Sequence, residues 1–246
     1  MKNVHACWPM VCGLAGTCVF VSFASASSSR CSVSARGVGT SAMLQMDAHE
    51  SDHEAHQKLL DAAIRQNLRL DADAPVTPRH RARAKHVFLM ATSFGDAGTT
   101  MLASEEAGLF SVAVLNLCMT QVTDAGLNAL ARHDSCLESL TTLELAFTKV
   151  TDEGVKELAR ESSGVHMLTH LGLGWSSVTD AGVTHLARQR TGLKSLQSLG
   201  LGGLKITDAA LKELARADTG LKSLTSLELQ STAVTDGGLK ELAREG

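Results

Sequence analysis

The sequence predicts an α/β fold: a curved solenoid with parallel strands on its concave face and helices on its convex face. Three observations predict it. A short segment returns at a constant step of 28 residues. Each step holds one stretch with the period of a strand and one with the period of a helix. Aromatic residues make up only 3% of a chain that is 44% hydrophobic, with no Tyr at all, so its core must be built from stacked aliphatic rows rather than bulky rings. The net charge of −3 implies no polyanionic partner.

The repeated segment is Val122-Thr123-Asp124-Ala125-Gly126-Leu127. It returns at Val150, Val178, Ile206 and Val234 without a gap, and a degenerate copy begins at Phe94. Ahead of it, Leu143 and Leu145 alternate with Thr142, Glu144 and Ala146, the pattern of a half-buried strand. Behind it, Val155, Leu158 and Ala159 are spaced for one face of a helix. Asp152 stands where that helix starts, suited to accept from orphan amides and to complement the positive helix end. Gly164, Gly192 and Gly220 follow three of the helices and are expected to stop them in a left-handed conformation, with Cys136 in that place one unit earlier. Arg132, Arg160, Arg188, Arg216 and Arg244 recur near the helix ends, where cations suit the dipole.

From Leu140 to Leu158 the chain follows L-x-x-L-x-L-x-x-T-x-V-x-x-x-G-x-x-x-L. This resembles the ribonuclease-inhibitor-like class of leucine-rich repeats. The T-D-x-G-L-x-x-L-A wording is similar to repeats of F-box-type and bacterial leucine-rich proteins. The resemblance spans residues 84–246 as six units and implies a protein-binding solenoid. It leaves open an adaptor subunit of a ubiquitin-ligase-like assembly and a GTPase-activating protein. The family's usual Asn after the strand is replaced by Thr92, Thr120, Thr148, Ser176 and Thr232, whose hydroxyls can still bond to the loop, and by Leu204, which cannot. Ala210 stands in place of Gly in that same fifth unit.

Upstream, residues 1–26 have a Lys2 start, an apolar run from Ala6 to Phe23 and a small-x-small Ala24-Ser25-Ala26, as export signals do. The absence of Asp and Glu before Asp47, with Ser, Arg30 and Arg36 beyond the apolar run, makes an organelle presequence the rival reading. A membrane role is expected only if this segment stays uncleaved; a cytoplasmic location is the alternative. Cys31, Cys118 and Cys136 show no disulfide-framework spacing. Residues 27–83 form a Ser-rich linker and a capping helix over 51–70, with Ser51 and Glu54 as a capping box and Leu59, Leu60, Ala63, Ile64 and Leu68 on one side.

Chemistry-bearing motifs are few. His49, His53 and His56 share a helical face, but the spacing lacks a metal-site order, and a solvated face is expected. The basic run from Arg79 to Lys85 has no interleaved aromatics and reads as linker, so no nucleic acid is expected. No set of nucleophile, base and orienting residue appears, and neither catalysis nor a cofactor is expected.

The candidate site is the concave face. Three positions before each repeated Val stand Ala91, Met119, Phe147, Trp175, Gly203 and Ser231. Adjacent strands lie about 4.8 Å apart, so Met119, Phe147 and Trp175 form an apolar ladder open to a protein partner. Beside it, Gly172, Gly174, Gly200, Gly202 and Gly203 make a trough bordered by Glu144, Glu228 and Gln230, with His170 in the same sheet. The edge of the last repeat is expected to self-associate.

Overall fold

In a computed structural model the chain divides into two units, Met1–Ala48 and His49–Gly246. The structure describes residues 52–216 and 219–245, with backbone only for Asp52, Arg244 and Glu245. The expected targeting segment 1–26, His49 and the Ser51 half of the capping box lie outside the described residues. Among the described residues no helix is long and apolar enough to cross a membrane.

Six three-residue strands, β1 (His86–Phe88), β2 (Val114–Asn116), β3 (Thr142–Glu144), β4 (His170–Gly172), β5 (Ser198–Gly200) and β6 (Ser226–Glu228), pair in sequence order as one open, parallel sheet. The register is constant, so Val87, Leu115, Leu143, Leu171, Leu199 and Leu227 form one row. Each strand is short because a helix must return the chain within the same step. The helices are α3 (Asp96–Ala103), α4 (Asp124–Ala131), α5 (Asp152–Leu158), α6 (Asp180–Ala187), α7 (Asp208–Leu214) and α8 (Asp236–Glu245). Core and helix rows meet behind the sheet: Leu145, Val150, Val155 and Leu158 of one unit are all fully buried, and the same positions repeat in its neighbours. The solenoid expected from the periodicity is the observed architecture.

The helix starts differ from the expectation. Thr, not Asp, is the N-cap: Thr151 accepts from the Glu153 amide at 3.3 Å, and Thr123, Thr179, Thr207 and Thr235 do the same in their units. The Asp that follows turns its carboxylate toward the next unit instead. Asp152 accepts the Thr179 amide at 2.7 Å, the Thr179 hydroxyl at 2.7 Å and the Gly182 amide at 2.9 Å. Asp96 makes the same three bonds to Thr123 and Gly126. Asp124, Asp180 and Asp208 hold the amide and hydroxyl of Thr151, Thr207 and Thr235. The Gly of the motif has a matching cause: a Cβ on Gly126, Gly154, Gly182 or Gly238 would collide with the Asp Oδ1 of the preceding unit. In the fifth unit Ala210 is buried, and its amide donates to Thr207 O, not to Asp180.

The glycines after the helices also work across the unit boundary. Gly164, Gly192 and Gly220 do not adopt positive φ. Their amides donate to Ala131, Ala159 and Ala187 of the unit before, and a Cβ would strike the carbonyl oxygens of Arg132, Arg160 and Arg188. Cys136 keeps the same amide bond, to Ala103 O, and its thiol donates to Leu102 O at 3.2 Å.

The first unit is closed by α1 (Asp52–Leu68), which buries Leu60, Ala63 and Ile64 and packs Leu59 and Leu68 against the core. His56 takes the place that an Asp holds elsewhere: its Nε2 accepts the Gly95 amide at 3.1 Å, and its ring meets Phe94 edge-on at 5.1 Å. The solvated histidine face expected there is, at His56, a packed seam. The basic run folds as a short helix, α2 (Pro78–Arg83), capped by Thr77, and Arg81 binds Asp61 at 3.0 Å, tying α2 to α1. In the last unit Val234 and Leu242 are half-buried and Leu239 is 48% exposed, where Leu211 of the preceding unit is fully buried.

Removing a carboxylate that serves three donors leaves all three short of a partner. Asp152→Ala is therefore expected to destabilise the solenoid by about 2–4 kcal/mol. Asp134→Ala, which breaks only an exposed pair with Arg132, should leave the unfolding midpoint nearly unchanged. Urea unfolding followed by circular dichroism checks both.

Candidate functional site

The concave surface is made by residues that alternate with the buried leucines. One row runs His86, Val114, Thr142, His170, Ser198 and Ser226, and the next runs Phe88, Asn116, Glu144, Gly172, Gly200 and Glu228. Beyond the strands the parallel ladder continues: Leu145 donates to Gly172 O and Phe147 to Gly174 O, and equivalent bonds link the other units.

The apolar ladder occupies the residue at which the chain leaves the sheet. Ala91, Met119, Phe147, Trp175 and Ser231 all have φ between 56° and 58°, and Gly203 has φ 73°. Each sits in the left-handed region, which costs a non-glycine residue roughly 1–2 kcal/mol. The conformation is imposed from both sides. In the first five units the amide of the residue is held by the next unit's ladder, and in four units the following Thr hydroxyl pulls the turn closed; Ser231 takes the same φ with the Thr232 bond alone among the described residues. Thr92, Thr120, Thr148 and Thr232 donate to the carbonyls of Leu89, Leu117, Leu145 and Leu229 at 2.6–2.8 Å. The sequence expectation of a lost link at Leu204 is met: its amide donates to Leu201 O at 3.3 Å and no side chain joins. Ser176 differs from the expectation. Its hydroxyl is buried without a hydrogen-bond partner, and the Ser176 amide closes the turn on Leu173 O instead.

On this backbone Phe147 and Trp175 stack face to face, with ring centroids 5.7 Å apart and planes 5° from parallel. The indole then lies over Gly203, where any Cβ would collide with it. Gly203 thus serves both the turn and the stack. Phe147 remains 47% exposed, while Met119 and Trp175 are partly covered. The expected stack of three is therefore a Phe–Trp pair resting on a glycine, with Met119 on the neighbouring turn.

The glycine row expected as a trough is overlaid by neighbouring side chains. Glu144 lies across Gly172, whose Cβ would collide with its carboxylate, and Gln230 lies across Gly202. Glu228 approaches from the far side, its Oε2 3.7 Å from the Cβ position of Gly200. His170 stands exposed on β4, its Nδ1 3.0 Å from the Thr169 hydroxyl. Burial, and then the Glu228 charge, raise the Glu144 carboxyl above its usual range. Cys118, next to Glu144, is pushed up to about 12 by burial and by that charge, so its thiol stays protonated and is no nucleophile at physiological pH. Among the described residues no three His, Cys, Asp or Glu side chains are grouped to hold a metal.

Because its acidity is weakened by folding, Glu144 favours the folded state when protonated. That contribution is present at acid pH and is lost as the pH rises through the raised value. Glu144→Gln is therefore expected to melt higher than the wild type near neutral pH. The difference should vanish below the ordinary carboxylate range, and paired calorimetric scans across pH check it.

Residues 136–159 and 220–243 match the family described as Leucine Rich repeat. No curated protein is similar enough to match. Among solved structures the chain is similar to an internalin C2 from Listeria monocytogenes, at 21% identity and a TM-score of 0.39, over 75% of this chain and 88% of that one. It is also similar to a second internalin of that organism, internalin F, at 17% identity and a TM-score of 0.37, over 65% of this chain and 51% of that one. Residues 136–159 and 220–243 are thus leucine-rich repeats, and the unbroken 28-residue step and the open parallel sheet carry the same leucine-rich-repeat architecture through the described units, an architecture generally used for protein interaction.

Proposed function

We propose that the chain binds a partner protein on its concave face, with Met119, Phe147 and Trp175 as the anchor. The single observation that carries this reading is the Phe147–Trp175 stack. Two large aromatic side chains occupy a strained backbone position at the open rim of the sheet, and one of them is half exposed. Strain of this kind persists where the surroundings enforce it and concentrates at functional sites. The repeat itself asks for no aromatic there, since Ala91, Gly203 and Ser231 complete the same turn in other units. Aromatic anchors beside a side-chain-poor trough suit a protruding partner element, because buried Trp carries a large share of interface energy. Glu144, His170, Glu228 and Gln230 are the polar groups that such an element meets.

Trp175→Ala is expected to weaken partner binding by about 2 kcal/mol or more, roughly thirtyfold in Kd, while the melting transition stays cooperative. Quantitative affinity capture with the full chain, the Trp175→Ala variant and a convex-face variant, Lys156→Ala, checks it. Proteins that are lost with the first and kept with the second support the reading. An identical captured set with all three contradicts it.

A further inference from the structure

The concave sheet carries almost no formal charge. Along its strands the charged positions are Glu144 on β3 and Glu228 on β6, and between them β4 and β5 present Gly172 and Gly200 at the same level. With no side chains on that floor, the two carboxylates lean toward one another from opposite walls. Three strand spacings separate their backbones, about 14 Å, and the inward lean shortens the gap between the charged ends. The Glu144 carboxylate takes no hydrogen bond or ion pair from any described residue, and the charge acting on it is the like charge of Glu228. This arrangement costs energy in the free protein and is relieved by a positive group placed between the walls.

We infer that the trough between Glu144 and Glu228 is the seat for a basic side chain, an arginine or lysine presented by the partner polypeptide. This rests on the concave face being the binding surface, and it adds the chemistry by which that surface selects. The occupant follows from charge complementarity and from the shape of the floor. A divalent metal needs more oxygen ligands, at fixed short distances, than two carboxylates on opposite walls supply, and no metal-holding group of side chains is present among the described residues. A long basic side chain brings its charge to the floor on a flexible stem, and its several N–H donors can engage both carboxylates. The Phe147–Trp175 pair walls the trough on its loop side and offers apolar surface to the stem of such a residue.

The test is a selection of binders from a random peptide library displayed against the full chain, with counter-selection against Trp175→Ala to retain peptides that need the concave row. The retained peptides should share an Arg or Lys. Replacing it by citrulline or norleucine in the synthetic peptide should weaken binding about tenfold or more. The double variant Glu144→Gln with Glu228→Gln, folded by its melting curve, should bind the parent peptide correspondingly more weakly and be indifferent to that replacement. Retained peptides without a shared basic residue, or a double variant that binds as tightly as the wild type, overturn the basic seat and leave the concave-face reading standing. A selection that yields no Trp175-dependent peptide overturns both.

Discussion

Each unit is joined to the next by a carboxylate that crosses the boundary between them. The Asp after each N-cap Thr gathers the amide and hydroxyl of the next unit's Thr, and at Asp96 and Asp152 also the amide of its Gly. These are charge-assisted bonds to groups at a helix start, where orphan amides and the positive end of the dipole both favour an anion. The carboxylate of one helix therefore satisfies the N-terminus of the next. Chained along the array, the bonds hold neighbouring helices at one spacing. The strands they return to pair in a constant register, and the leucine rows close without gaps. A unit whose own hydrophobic face is too small to bury alone becomes stable through its neighbours.

The site follows from that constraint. With the helices fixed, the chain of each unit must leave the sheet at one residue and turn into the next helix; in the first five units the ladder from the following unit holds that residue in the left-handed region, and Thr232 closes the same turn at Ser231. The position points along the rim of the concave face in every unit. What varies is the side chain it carries: Ala, Met, Phe, Trp, Gly, Ser in order. The scaffold is uniform, and in the proposed function recognition rests on the non-repeating residues at these uniform positions. The Gly203 that relieves the turn in the fifth unit is also the bed on which Trp175 lies, so one glycine links backbone need to surface shape.

Much of this was legible in the sequence, and the part that was not has a physical reason. Strand rows centred on Leu115, Leu143, Leu171 and Leu199 follow directly from the step and the alternation. Local capping logic assigns Asp152 to its own helix, whereas the bonds it makes reach a Thr 27 residues ahead. The recurrence of Thr-Asp-x-Gly as a unit was the available signal, since a cap alone requires neither the Asp nor the Gly. Gly164, Gly192 and Gly220 look like helix stops for the same reason: steric pressure from a neighbouring unit leaves no local trace. The left-handed row was betrayed only by Gly203, one residue among six. Ser176 keeps the chemistry of Thr but not its bond, and nothing in residue type separates the two. The inward lean of Glu144 and Gln230 depends on the glycines of adjacent strands and becomes visible only once the register is known.

The Asp-to-Thr bond couples neighbouring units and is not two independent helix caps. A double-mutant cycle on Asp152→Ala and Thr179→Val, read by urea unfolding of the full chain, tests it most directly. The interlock predicts a coupling energy of roughly 1–3 kcal/mol, the range for residues in one hydrogen-bond network. Additive effects, with a coupling indistinguishable from zero, would contradict it.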